Sequence, residues 1–348
     1  MKYDALIITN LPNYYKINLF NEIAKERNIH VLFISENERR RNQDFLGIEM
    51  ISGFDHDILS KKYNGRNPFS TCKKLFRLIK SNTYSSLILG EWVSVEYWFT
   101  QLFFKKRHTS MMLESSIDSI NGIGPKELVK KVFLSQVSKI YANGRKHADL
   151  ARYLGFKGEI LDVKGLGIIN YGKVEKSNRR SKDFLYVGRL SEEKNLNMLI
   201  DVFNELALVL KIIGEGPLRK TLQSKAGETI EFLGYIANKK MGSYFQSVRA
   251  LILPSIHEPY GLVAEEALYY ETPSIVSSAC GIENTLCFDG VNSIVINSRS
   301  KIELKNAVSR MLDDDHYDLI KENCKSEVIL EKNRQMVNTY CSTIEATR

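Results

Sequence analysis

The sequence predicts an α/β protein built from two Rossmann-like domains, each a parallel sheet covered by helices, with a closing C-terminal helix. Three observations carry this. The chain has 348 residues, about twice an ordinary domain. Short apolar runs without strict alternation recur along it, as parallel strands covered on both faces do. Helix-length amphipathic segments separate these runs, so strand and helix alternate twice over.

The first half offers strands at 3–9 (YDALIIT), 29–35, 84–90, 109–114 and 139–142. The second half offers 183–187 (DFLYV), 208–213, 230–234, 249–253, 273–278 and 293–296. Between the first two of the second set, Leu199, Val202, Phe203 and Leu206 recur at helical spacing and form one apolar stripe. The domains are expected at 1–165 and 183–317, joined by a linker at 166–182 that has two early glycines, just after Gly165, and then no buried-type run. Residues 318–348 are helical in pattern with no strand after them, and are expected to close onto the first domain.

Composition narrows the class. With 43% hydrophobic and 26% charged residues the chain is neither disordered, collagen-like nor disulfide-stapled. Its five cysteines form no CxxC pair, which suits a reducing compartment and no structural zinc. No run is long and apolar enough to span a bilayer. Asp4 interrupts the first apolar stretch, so 1–10 reads as a strand rather than a signal peptide. The charge is uneven: residues 1–165 hold 26 Lys and Arg against 17 Asp and Glu, a net +9, and the remainder 23 against 24. Such asymmetry points to an anionic partner for the first half, or to solvated lysine faces.

Ligands of open α/β sheets bind beyond the carboxyl ends of the strands. Three loops in the second half lie there. The first, 188–195, begins at Gly188 and carries Arg189 and Lys194, a fork and a point charge suited to a diphosphate. The second, 214–217, reads Gly-Glu-Gly-Pro, with Gly214 allowing close backbone approach and Pro217 suited to a helical first turn. In the third, 254–267, a strand ends at Pro254 and a helix begins near Gly261, so the amides of Gly261 and Leu262 and the helix dipole make an anion site. Glu258 precedes that start, where a carboxylate accepts hydrogen bonds from sugar hydroxyls. Glu266 follows one to two turns into the helix, placed for a ribose. Glu265 beside it reads as a solvent-facing acid.

The ordered blocks GRLSEEKNL, GEGP, FLGY, HEPYGLVAEEAL and ETPSIVSS closely resemble the C-terminal domain of retaining GT-B glycosyltransferases of the E-x7-E, nucleotide-sugar type, over about 100 residues. The resemblance implies two facing Rossmann-like domains. It implies that Arg189 and Lys194 hold the donor diphosphate and stabilise the leaving nucleotide, Glu258 contacts the donor sugar, Glu266 grips the ribose, and Gly261 and Leu262 bond the diphosphate through their amides. Tyr235 stands where the family contacts the base, with a packed aromatic as the other reading. Enzymes of this type need no metal and no other cofactor, because the cations and helix terminus do the electrostatic work.

The first half resembles the family more loosely. The loop at 9–15, with Asn10, follows strand one and is implied to face the donor, but lacks the family's glycine pair. Where many members place a histidine after a later strand, this chain has Glu114-Ser115-Ser116-Ile117-Asp118. Glu114 or Asp118 would orient the acceptor hydroxyl, or Ser115 or Ser116 would cap a helix. His108 lies before that strand and reads as surface; His147 reads as helix surface. Lys73, Lys74, Arg77 and Lys80, and Lys126, Lys130 and Lys131, lie on amphipathic segments suited to an anionic membrane, or on ordinary domain helices. The stretch 97–104 reads as core packing or a third contact.

The expectation is therefore a cytoplasmic hexosyltransferase, peripheral at the inner face of the plasma membrane, serving polysaccharide assembly such as O-antigen or capsule. Its donor would be a UDP-sugar ahead of a GDP-sugar, and its acceptor a polyprenyl-diphosphate-linked or other oligosaccharide. A nucleotide-sugar epimerase of the same architecture is the alternative enzyme. A nucleic-acid-binding protein would explain the basic half but not the loops, so no nucleic-acid partner is expected.

Overall fold

The computed structural model describes residues 1–38, 45–120, 122, 124–174 and 180–346. The chain forms two compact units, Met1–Asn170 with the tail Lys332–Arg348, and Tyr171–Glu331. The change of unit falls inside the expected linker. Ile169 is buried in the first unit. Arg180 is built into the second, donating to the carbonyls of Phe245, Tyr270 and Glu271 and to Thr272 Oγ1. Residues 175–179 of that linker lie outside the described residues.

The first unit runs β1 (Lys2–Thr9), α1 (Tyr14–Ala24), β2 (Ile29–Asn37), β3 (Asp55–Lys62), α2 (Pro68–Ser81), β4 (Thr83–Leu89), α3 (Val95–Gln101), β5 (Thr109–Leu113), α4 (Pro125–Ser135), β6 (Lys139–Ala142), α5 (Arg145–Tyr153) and β7 (Glu159–Asp162). Its seven strands are all parallel, in the order β3-β2-β1-β4-β5-β6-β7. The edge strands β3 and β7 are absent from the sequence expectation. Their sequences, DHDILSKK and EILD, are charged and about half exposed, so neither shows an apolar run. That charge suits an edge, where it discourages pairing with another chain.

Alternation along the strands divides this core in two. Leu6, Ile8, Leu32, Leu87, Leu89 and Met111 face one layer with Leu75 of α2, Tyr97 of α3 and Phe133 of α4. Ala5, Ile7, Val31, Phe33, Ile88 and Met112 face the other with α1. Met336, Tyr340, Cys341 and Ile344 complete the second layer, with Tyr340 stacked on Tyr141 at 4.1 Å. The expected closing segment 318–348 is two helices rather than one, α11 (Asp314–Lys321) and α12 (Ser326–Thr343). The break between them is held by the buried thiol of Cys324, within reach of the carbonyls of Asn292 and Ile320.

The second unit runs β8 (Phe184–Val187), α6 (Leu196–Leu206), β9 (Leu210–Ile213), α7 (Arg219–Lys225), β10 (Ile230–Gly234), α8 (Met241–Ser247), β11 (Ala250–Leu253), α9 (Leu262–Tyr269), β12 (Ser274–Ser277), β13 (Ser293–Ile296) and α10 (Lys301–Leu312), followed by α11. Its six parallel strands take the order β10-β9-β8-β11-β12-β13. Leu199, Val202 and Phe203 of α6 are fully buried as the stripe requires, with Phe203 edge-on to Phe184 at 5.4 Å. In each sheet the connections reverse direction once, between β1 and β4 and between β8 and β11. The crevice above such a reversal is where open α/β sheets bind ligands. No helix among the described residues is long and apolar enough to cross a membrane.

Candidate active site

In the second unit all three predicted loops meet at the carboxyl ends of β8, β9 and β11, next to that reversal. Glycines make the approach: a Cβ on Gly214 would overlap the Gly188 carbonyl, and one on Gly216 the Leu190 carbonyl. The loops are then tied by backbone. Gly188 N–H donates to Ile213 O at 3.0 Å, Leu190 N–H to Glu215 O at 3.0 Å, and Ile256 N–H to Glu193 O at 2.8 Å. Asn195, in a left-handed conformation at φ 57°, donates through Nδ2 to the carbonyls of Pro254 and Ser298.

Lys194 and Glu258, sixty-four positions apart, form an ion pair with Nζ 2.5 Å from Oε2. Both side chains are about five-sixths buried, at 15% and 16% exposure. Arg189 is exposed on the same loop. The backbone around Glu258 is fixed: Gly281 N–H donates to Glu258 O and Ile282 N–H to Tyr260 O. Gly261 caps α9 at φ 105°, a left-handed value that favours glycine. The hydrogen bonds of α9 begin with Ala264 N–H donating to Gly261 O at 2.9 Å, so the amides of Leu262 and Val263 precede the helix's own pattern. Glu266 is half-buried one turn further on.

Tyr235, directly after β10, is 43% exposed. Close by, Glu215 and Arg219 form an ion pair beside Gly234. Glu265 requires a correction. Expected to face solvent, it is fully buried, accepting hydrogen bonds from Tyr260 OH at 2.9 Å and Tyr171 OH at 3.2 Å. The α9 helix buries positions 264, 265, 267 and 268, so Glu265 falls inside the stripe that faces the core. Burial and the neighbouring Glu265 push the Tyr260 hydroxyl well above its ordinary range.

In the first unit, Asn10 Oδ1 accepts from Tyr97 OH at 2.8 Å. Glu114 pairs with the buried Lys16, whose Nζ also donates to Thr9 Oγ1 at 2.9 Å. Asp118 pairs with Lys146 at 3.0 Å. Neither serine alternative is a helix cap: the short helix at 117–119 has no side-chain cap, and Ser115 Oγ donates to Glu91 at 3.1 Å. Glu91 went unnoticed in the sequence. The signal available was a lone carboxylate directly after an apolar run, SLILGE, at a sheet's reversal point. Burial and Glu114 push its carboxyl up to about 7. His147 is a second correction: it is completely buried at the start of α5, and burial drives its imidazole down to about 4. His108 is partly exposed before β5, paired with Glu345 at 3.1 Å. In the 97–104 stretch Tyr97 is buried, whereas Leu102 and Phe103 are exposed.

Among the described residues no group of three or more His, Cys, Asp or Glu is arranged to hold a metal ion. All five cysteines are free thiols.

Residues 169–327 match the protein family described as Glycosyl transferases group 1. An uncharacterised glycosyltransferase of Methanocaldococcus jannaschii is 28% identical over 200 residues, 51% of this chain and 51% of that protein. The chain spans about half the length of the curated relatives it matches. The structure of Anabaena HepE in complex with UDP and glucose is similar with a TM-score of 0.72 at 15% identity, covering 98% of this chain and 100% of that one. The lipopolysaccharide outer core galactosyltransferase WaaB is similar with a TM-score of 0.70 at 16% identity and the same coverage. At such identities the likeness establishes the fold, which is GT-B: two parallel-sheet α/β domains and a C-terminal helix.

Proposed function

We propose that the protein is a retaining glycosyltransferase that moves a hexose from a nucleotide-diphosphate sugar, a UDP-sugar ahead of a GDP-sugar, to a polyprenyl-diphosphate-linked or other oligosaccharide acceptor in surface polysaccharide assembly. The observation that carries this reading is the Lys194–Glu258 pair beside the amino terminus of α9, at the reversal point of the second sheet. The match of 169–327 to glycosyl transferases group 1 supports the reaction class. The UDP and glucose in HepE support the donor, and the part WaaB plays in lipopolysaccharide supports the acceptor class.

In this reading the diphosphate lies against the α9 amides and the cations Arg189 and Lys194, which gain most as the leaving group takes up charge. The bond from the sugar's anomeric carbon to the phosphate oxygen breaks with its electron pair on the phosphate, leaving an oxocarbenium-like centre. The acceptor hydroxyl attacks from the same face, and its proton passes to the leaving phosphate. Glu258 orients both Lys194 and the sugar hydroxyls, Glu266 holds the ribose, and Tyr235 lies against the base. The scheme uses no metal.

The acceptor's location fits the basic first unit. Phe69 (83% exposed) and Phe76 stand out from α2 among Lys73, Arg77 and Lys80, and Leu128 (64%), Val129 and Val132 from α4 among Lys126 and Lys131. Exposed apolar groups ringed by lysines suit peripheral docking on anionic lipid.

Thermal unfolding with UDP, GDP, dTDP and CMP, each with and without EDTA, tests the donor site. A ligand that binds only the folded state raises the midpoint by mass action. One nucleotide raising it irrespective of EDTA supports the reading and gives the donor class. No rise with any of the four refutes it.

A further inference from the structure

The reversal point of the first sheet carries a second cluster of charged groups, and one member is held in a way no structural need explains. Glu91 follows β4, is 93% buried, and spends a single carboxylate oxygen on three hydrogen bonds. Its Oε1 accepts from Glu114 N–H at 3.1 Å, Ser115 N–H at 3.0 Å and Ser115 Oγ at 3.1 Å. Its Oε2 is buried and has no hydrogen-bond partner within normal geometry among the described residues. Two other strand ends lie beside it: Thr9 ends β1, where Lys16 reaches it from α1, and Glu114 follows β5. Lys16 is itself buried and its one charge pairs with Glu114, whose side chain remains 28% exposed.

A buried acid is a poor way to hold a turn for stability alone, since desolvation costs what its hydrogen bonds return. The arrangement makes sense if the turn must be exact. Two backbone hydrogen bonds and one from Ser115 Oγ converge to fix the 114–115 turn, Lys16 holds the Glu114 carboxylate, and the exposed part of Glu114 is left to accept from a ligand. A carboxylate with fixed geometry at a strand end, with Ser115 and Asp118 close in sequence, is chemistry for hydroxyl groups rather than phosphates.

We propose that Glu91 is the positioning residue of the acceptor side: it fixes the 114–115 turn and so aims the Glu114 carboxylate at a hydroxyl of a sugar acceptor. That the sugar is an acceptor rests on the transferase reading; that a polyol binds here does not. Glu91 faces Lys16 from α1, Glu114 from the turn after β5 and Tyr97 from α3. With its carboxyl at about 7, protonation of Glu91 changes the charge beside Glu114 across neutrality.

The chain's two tryptophans, Trp92 and Trp98, both lie within this core, Trp92 directly after Glu91. Their fluorescence therefore reports the site. The full chain is titrated at pH 6, 7 and 8 with n-octyl glycosides of glucose, galactose and N-acetylglucosamine, below micelle formation, as wild type, Glu91→Leu and Glu91→Gln. The expected result is a saturable response in wild type with at least one glycoside, with affinity inflecting near pH 7. Glu91→Leu binds about tenfold or more weakly, because the turn loses its acceptor. Glu91→Gln, which keeps an oxygen for the turn, restores affinity to within about threefold, the margin left by exchanging a charged for a neutral hydrogen bond, and is flat with pH. No saturable response in wild type, wild-type affinity in Glu91→Leu, or an inflection retained in Glu91→Gln overturns the proposal. If Glu91→Leu does not fold, the pH response of Glu91→Gln decides. The UDP midpoint shift on the same samples separates the two readings: glycoside binding that depends on Glu91 without any nucleotide shift would sink the transferase and leave this site standing.

Discussion

Glu91 and His147 sit in one unit, both buried, and their protonation works on stability in opposite directions. In the unfolded chain His147 takes up its proton as pH falls through 6.5, but in the native fold only near 4. Between those values the unfolded state binds more protons, so the stability that neutral His147 contributes is lost as pH falls. Glu91 is the reverse. Its native carboxyl protonates near 7 and the unfolded one at 4.5, so the native state binds more protons between them and stability falls as pH rises. At about 1.4 kcal/mol for each pH unit, each group is worth about 3 kcal/mol across its window.

The windows, 4 to 6.5 and 4.5 to 7, nearly coincide, so in the wild type the two effects largely cancel. Removing either one unmasks the other. Relative to wild type, Glu91→Gln is expected to lose about 3 kcal/mol on going from pH 7.5 to 4.5, and His147→Gln to gain about as much on going from pH 7 to 4. Urea unfolding followed by tryptophan fluorescence measures this, because Trp92 and Trp98 report the first unit alone. Differences of the same sign in both variants, or flat within about 0.5 kcal/mol as for an ordinary exposed site, would refute the burial of one or both groups.

The proposed donor site makes sharper demands. Lys194→Ala and Glu258→Ala are each expected to lower transfer by more than about a hundredfold, the scale of a lost electrostatic contact to a leaving group, with an unchanged circular dichroism spectrum; near wild-type donor consumption in either variant would refute the assignment. Gly214→Ala forces a methyl into the Gly188 carbonyl and is expected to destabilise the second unit by about 2 kcal/mol or more, read as a lower thermal midpoint that UDP raises only in part. Phe69→Glu combined with Leu128→Glu is expected to reduce sedimentation with anionic phosphatidylglycerol vesicles about fivefold or more, an apolar contribution that added salt does not mimic. Equal binding of the double variant would remove the membrane surface from α2 and α4.

How far the sequence could be read follows from where each signal lives. Central strands such as DFLYV and SLILG are buried on both faces, so their apolar runs are visible without any knowledge of neighbours. The edge strands β3 and β7 gain their place only by pairing, and their charge hides them. The second unit's loops are legible because their glycines are dictated by close backbone approach, which is local in sequence. The sequence points Lys194 and Glu258 to separate roles; that they pair is a fact of the fold. Glu265, Glu91 and His147 escape a reading of the sequence for one physical reason. Each is a polar residue whose partners come from distant segments: Tyr171 to Glu265, the 114–115 turn to Glu91, and burial from all sides to His147. A sequence announces what a residue prefers when solvated. It does not announce that a carboxylate or an imidazole has been taken out of water, and sites that work by holding one charged group beside another are built from such residues.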